Sequence, residues 1–237
     1  MCYHYSLKAE TRELERRYLI EIEDSLGFDP FVHVSCFVKP SPLLPVITNE
    51  KPRTLQLFKW GLIPFWAKEQ DLSYNTANAK MEGIESKPSW RLPIRSKRCL
   101  VPATGFFEWR HIGKDKYPYF ISLNDKQVFS MAGIWDSWIC KDTGEIVNSF
   151  SLITASANSL MEKIHNTKKR MPVILSRQDE ESWLNIDIEI QEALALLKQY
   201  PSVEMKAHTI RKDFFRLGGN SLDVVEAFEY PELVLLN

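Results

Sequence analysis

The second residue of this chain is a cysteine, preceded by Met1. Cleavage of Met1 would give Cys2 a free α-amine beside its thiol, two nucleophiles that ordinarily titrate near about pH 8 and about pH 8.5. Such a 1,2-aminothiol condenses with an aldehyde, first to a Schiff base and then to a five-membered thiazolidine; it can also attack an amide carbonyl as an N-terminal nucleophile. Either reaction needs proton transfer. Glu108 lies near the end of the apolar, aromatic run LVPATGFFEW, residues 100–109, where desolvation raises a carboxyl pKa into the range of a proton donor. His165, in Lys163-Ile164-His165-Asn166, stands at the end of an expected helix and shortly before Arg170-Met171-Pro172, a position where loops gather catalytic groups. His4 is near enough to Cys2 to serve as a base too, while His33, His111 and His208 read as surface or structural residues. Taken singly, Glu108 also reads as a water-facing strand-edge carboxylate and His165 as a hydrogen-bonded structural histidine.

A second group of residues suits a polyanion. Phe65 and Trp66 beside Pro64 form a stacking platform, and an Asn-rich turn over residues 75–82 offers amides that can orient a carbonyl or hydroxyl. Lys87, Arg91, Arg95, Lys97 and Arg98 surround Trp90, and Lys168, Lys169 and Arg170 follow His165. Cations interleaved with aromatics fit single-stranded nucleic acid; a solvated basic face with Trp90 in the core is the plainer alternative. A formal charge of −1 over 237 residues excludes a general basic coat, so any polyanion must be held by a local patch.

The elements that must position these groups are legible in outline. A strand is expected over residues 1–5 and a helix over 7–22 with Leu14, Tyr18 and Ile22 on one face; five prolines between 30 and 52 imply wandering extended segments. Strands are expected at 55–63, 98–109, 119–122, 128–138 and 147–154, helices at 157–164, after Ser176 through Trp183 and at 188–200, and a last strand at 203–210. Strands and helices mix without βαβ alternation. The fold class is therefore α+β, a single domain over residues 1–237 with a curled, largely antiparallel, barrel-like sheet flanked by helices. Four scattered cysteines without a CxxC pair imply reduced thiols and no metal. With no membrane-length apolar run and no signal-peptide pattern, a cytoplasmic protein is expected.

In order along the chain, Met1-Cys2, WGLIPFWAK, Asn78-Ala79-Lys80-Met81-Glu82, KPSWR, RCLVPATGFFEW and His165 with RMPVIL resemble the SOS-response-associated peptidase (SRAP) family, whose members process abasic sites in DNA. The resemblance implies that Cys2, once Met1 is gone, forms a thiazolidine crosslink with the ring-opened aldehyde of an abasic site in single-stranded DNA. It further implies Asn78 as an orienting residue near the abasic sugar, Glu108 as the acid/base group and His165 as its proton-transfer partner. Trp66, Lys80, Arg91, Arg98 and Arg170 would hold flanking DNA, by a monomer needing no cofactor, acting in the cytoplasm at the nucleoid. Three departures stand out: Tyr3-His4 where the family has Gly-Arg, Lys80 in place of an arginine, and four residues between His165 and Arg170 where the family usually has one. The longer loop is expected to shift Arg170 or carry Lys168 and Lys169 to the DNA.

Two other classes fit parts of the pattern. An N-terminal-nucleophile cysteine hydrolase would share the Met1-Cys2 start, but Tyr3-His4-Tyr5 lacks the glycine-rich sequence expected after such a nucleophile. A noncatalytic single-stranded DNA-binding module would use Trp66, Trp90 and the cations and leave Cys2, Glu108 and His165 idle.

Overall fold

Two sheets share most of one hydrophobic core in the computed structural model, which describes residues 2–22, 26–69, 75–124, 128–216 and 220–234. The first sheet closes on itself. β3 (Leu43–Thr48), β4 (Gln56–Trp60), β6 (Arg98–Ala103), β9 (Phe129–Ile139) and β10 (Ile146–Ser156) form a five-stranded ring in the order β10-β4-β3-β6-β9 and back to β10. Every pair in the ring is antiparallel except β4 with β10. β9 is buried along nearly its whole length, so its outward-facing residues are covered as well as those that alternate with them into the barrel. Three short strands extend the ring: β5 (Asn78–Lys80) and β11 (Arg170–Pro172) pair with β10, and β12 (Ile174–Leu175) pairs with β9. The α+β class and the curled, largely antiparallel sheet read from the sequence are the architecture found.

The second sheet is wholly antiparallel. Its order is β13 (Met205–Thr209), β8 (Asp115–Leu123), β7 (Gly105–Ile112), β1 (His4–Leu7) and β2 (Phe31–Ser35). The single strand expected at 98–109 is thus two, parted at Thr104. There the backbone N–H donates to the Ser6 carbonyl at 2.7 Å, and Oγ1 lies 3.1 Å from Ser6 Oγ and accepts from Lys8 N at 3.1 Å. These bonds turn the chain out of the barrel and onto β1.

Other boundaries moved for local reasons. The proline-rich stretch holds two strands, β2 and β3; Pro45 sits in the part of β3 that pairs with β4 alone, before pairing with β6 begins at Ile47, where a missing N–H is tolerated. The expected N-terminal strand starts later, at His4, and Met1 lies outside the described residues. The first helix, α1 (Thr11–Tyr18), is half the expected length and stops at Leu19, whose φ is +54°; Leu14 is buried and Tyr18 and Ile22 pack on the core as expected. α2 (Pro93–Ser96) precedes β6. α3 (Ser159–Ile164) is capped by Asn158, whose side chain accepts from Met161 N at 2.9 Å. α4 (Arg177–Leu184) begins at Ser176, which accepts from Asp179 N, the expected capping signal; α5 (Ile190–Ala195) and α6 (Pro231–Val234) follow.

Candidate functional site

Glu108 owes its environment to the alternation of β7. Phe107 points into a small aromatic cluster with Phe120 and Phe214, while Phe106, two residues before the carboxylate, points into the main core that also contains Cys2. Period-two alternation puts Glu108 on the Phe106 face, and it is 4% exposed. The antiparallel register Tyr5 with Phe106 runs the residues before Tyr5 back along β7 toward Glu108. Burial raises the Glu108 pKa to about 8.

His165 caps the C-terminus of α3, which packs against β7. Its Nδ1 lies 2.8 Å from the Arg170 carbonyl and 3.5 Å from Glu108 Oε1. A carbonyl only accepts, so Nδ1 carries the proton and Nε2 the lone pair. Burial pushes the His165 pKa down to about 4. The approach to Glu108 has ion-pair geometry, yet at pH 7 burial holds the acid protonated and the imidazole neutral, so a proton donor sits beside a base and neither is spent on the other.

Cys2 is fully buried. Its thiol points to the His4 carbonyl at 3.5 Å, and burial, reinforced by the nearby Glu108, drives its pKa far up, so the sulfur stays a thiol. Asn78 donates from Nδ2 to the Cys2 carbonyl at 2.9 Å, while its buried Oδ1 has no partner among the described residues. Asn78 lies on β5 rather than on the expected turn, which fixes its direction through the parallel pairing of β5 with β10. Cys2 and Asn78 are thus in direct contact, as are Glu108 and His165, and the charge of Glu108 reaches the Cys2 thiol.

The His4 ring is engaged elsewhere. Its Nδ1 lies 2.9 Å from His33 Nε2 and the two rings stack, so the strand end that carries Cys2 is anchored by His4 rather than served by it as a base.

The residues assigned to DNA divide. Trp66, Lys80 and Arg91 are exposed. Arg98 is not: it is 1% exposed, donates to the Asn185 carbonyl, and stacks 5.4 Å from the Trp183 ring centre, so the expected phosphate contact is replaced by an interior one. Arg170 is buried as well, donating to Glu82 Oε1 at 2.7 Å and to the Thr154 carbonyl; it ties the end of β5 to β10 and β11 instead of standing free for a phosphate. Trp90 packs partly buried against the core, the plainer of its two readings. Across the four-residue loop after His165, Lys169 N donates to the His165 carbonyl at 2.8 Å and Lys169 turns the chain with φ +49° into β11, where Arg170 pairs with Ser156.

Among the described residues there is no group of three or more His, Cys, Asp or Glu side chains able to hold a metal, and no helix long and apolar enough to cross a membrane. A mixed barrel carrying a cysteine-bearing strand end, with a buried carboxyl–imidazole pair beside it, defines a class of site suited to carbonyl chemistry. The model of the family described as SOS response associated peptidase (SRAP) matches residues 1–216, and the chain belongs to that family. It is 34% identical over 230 residues to the Bacillus subtilis protein named abasic site processing protein YoqW, covering 96% of this chain and 100% of that one. It is 32% identical over 186 residues to abasic site processing protein HMCES of Gallus gallus, covering 68% of this chain and 54% of the longer relative. A crystal structure of a Bacteroides thetaiotaomicron protein superposes with a TM-score of 0.91 at 41% identity, covering 96% of this chain and 100% of that one.

Proposed function

We propose that this chain processes abasic sites in single-stranded DNA by forming a covalent thiazolidine through Cys2 after loss of Met1. The names of its relatives favour the lesion, and the observation that carries the chemistry is the buried Glu108–His165 pair within electrostatic reach of the Cys2 thiol. The neutral α-amine of Cys2 adds to the C1′ aldehyde of the ring-opened sugar while protonated Glu108 donates to the carbonyl oxygen. The resulting carboxylate takes a proton from the new ammonium and returns it to the carbinolamine hydroxyl, which leaves as water. The thiol then adds to the iminium carbon, its proton passing to Glu108 or His165 Nε2, and the ring closes. The net change is amine plus thiol plus aldehyde giving thiazolidine and one water. Asn78 holds the Cys2 carbonyl and turns its unpartnered Oδ1 toward a sugar hydroxyl, while Trp66, Lys80 and Arg91 hold the flanking strand.

Hydrolysis of the Met1–Cys2 bond by the same pair, with Glu108 protonating the departing amine, would give the chain a peptidase activity on itself. The protein would then act as a monomer, in the cytoplasm at the nucleoid. The test is a denaturing gel of the protein incubated with single-stranded DNA carrying one abasic site, with intact mass measured to establish loss of Met1. A shifted band that disappears in Cys2→Ala is expected. DNA binding by the Met1-free protein without any covalent band would overturn this reading in favour of a noncatalytic binding module.

A further inference from the structure

β7 runs on past the end of β1. The last residue of β1 on this side is His4, and β1 pairs with β7 at Phe106 and Gly105. On its other side β7 stays paired with β8 out to Ile112. Among the described residues no strand covers the β7 edge beyond β1, which leaves the residues after Glu108 without a strand partner on that side. One of these residues, His111, has both its backbone groups bound by a single side chain. Its N–H donates to Asn166 Oδ1 at 3.0 Å, and its carbonyl accepts from Asn166 Nδ2 at 2.7 Å. The carboxamide reproduces the two-point pairing of one residue in an antiparallel ladder. Its orientation is unambiguous, because an N–H can only donate and a carbonyl only accept.

Asn166 directly follows His165. The chain there is also held at the other end, by Lys169 N on the His165 carbonyl at 2.8 Å and by Ala157 N on the Lys169 carbonyl at 2.9 Å. The amide pair thus joins the His165 loop to the strand of Glu108 by two hydrogen bonds, three residues from the carboxyl that His165 approaches. We propose that Asn166 is a positioning residue, a side-chain strand partner that docks the His165 loop on β7 and sets the 3.5 Å separation of His165 and Glu108. Among the standard side chains only Asn and Gln carry a carboxamide, the donor and acceptor arrangement of a peptide group, and the four-residue loop gives Asn166 the slack to lie along the strand. This role deepens the crosslinking reading above and rests on it for its functional meaning.

Among the described residues, the charged and titratable groups facing the pair are the Cys2 thiol, Arg170 on β11 and His111 on β7 itself. Undocking the loop admits water to Glu108 and so moves its titration downward. The experiment compares wild type, Asn166→Ala and Asn166→Asp, reading the Glu108 carboxyl by carbon NMR, assigned with Glu108→Gln, and the pH profile of single-turnover crosslinking to abasic DNA. In Asn166→Ala the Glu108 titration and the alkaline limb of crosslinking should both fall by about one pH unit, with the rate at pH 7.5 down about threefold. Asn166→Asp keeps the acceptor for His111 N–H, loses the donor, and should lie between. A residue that only stabilises the loop would lower the melting temperature and leave both midpoints where they are in wild type, and that result overturns the proposal. Were wild type to form no crosslink while Asn166→Ala still moved the Glu108 titration, the crosslinking reading would fail and the positioning role would stand.

Discussion

Replacing Glu108 with Gln separates the stability of the site from its chemistry, because the two should move in opposite directions. The unfolded chain releases the Glu108 proton near pH 4.5, whereas the folded protein holds it until about pH 8. A raised folded-state pKa favours folding below the unfolded value, and that contribution is lost as pH rises through the interval. At about 1.4 kcal/mol per unit, the loss between pH 4.5 and pH 8 reaches about 5 kcal/mol, an upper bound that water entry reduces. Gln is nearly isosteric with the protonated acid and does not titrate. Glu108→Gln should therefore match wild type near pH 4.5 and become progressively more stable than it up to pH 8. His165 adds a term of the other sign: its folded pKa, about 4, lies below its ordinary 6.5, so its contribution is full above pH 6.5 and lost toward pH 4. That term is shared by both proteins and drops out of the difference. Urea unfolding of both at pH 4.5, 6, 7 and 8.5 gives the curve directly, provided both remain two-state. Crosslinking by Glu108→Gln should meanwhile fall by about 10²- to 10⁴-fold, the usual contribution of a general acid. A stability gap that stays constant with pH would mean that Glu108 titrates as an ordinary carboxylate, and the acid assigned to it at neutral pH would be wrong.

Three further outcomes are expected. Arg98→Met should leave stability unchanged or raise it by about 1–2 kcal/mol in urea melts, since it removes a buried cation whose Nε has no partner among the described residues; the salt dependence of DNA binding should not change, as it would if Arg98 met a phosphate. Lys80→Ala and Arg91→Ala should each lessen the slope of log affinity against log salt by about 0.7 on single-stranded DNA, and Trp66→Ala should weaken binding by about 1–3 kcal/mol without changing that slope, all read by anisotropy titrations. Gly105→Ala should lower stability by about 1–3 kcal/mol in thermal melts, because the added Cβ would overlap the Phe120 ring and lie 2.9 Å from the Ile121 carbonyl.

What the sequence made legible was chemical type and local signal. Cys2 and Glu108 are reactive or unusual where they stand in the chain, the Ser176 capping pattern starts a helix at the expected residue, and mixed strands and helices without βαβ alternation imply the α+β class. What it hid was set by tertiary neighbours. Arg91 and Arg98 belong to the same basic run, yet one faces water and the other lies under Trp183, because β6 enters the barrel at Arg98. Composition cannot separate them, since a guanidinium looks the same in a list whichever side of a strand it leaves. Arg170 likewise stands at the end of a Lys-Lys-Arg run, while its partner Glu82 is far away in sequence and arrives because β5 and β11 flank the same stretch of β10.

Asn166 is the sharpest case of the second kind. Nothing in its type marks it, and it is exposed; the signal that bore on it was the unusual length of the segment between His165 and Arg170. Length alone favoured displacement of Arg170 or delivery of lysines to DNA. The structure holds Arg170 in register through Lys169 and spends the extra residues on reaching the uncovered edge of β7. That edge is uncovered because β1 stops short, and β1 stops short where the chain must leave the sheet to set Cys2 beside Asn78. On the proposed function Cys2 is an N-terminal nucleophile, so its strand ends at the site, and the β7 edge beyond β1 takes a partner from elsewhere in the chain, the Asn166 carboxamide.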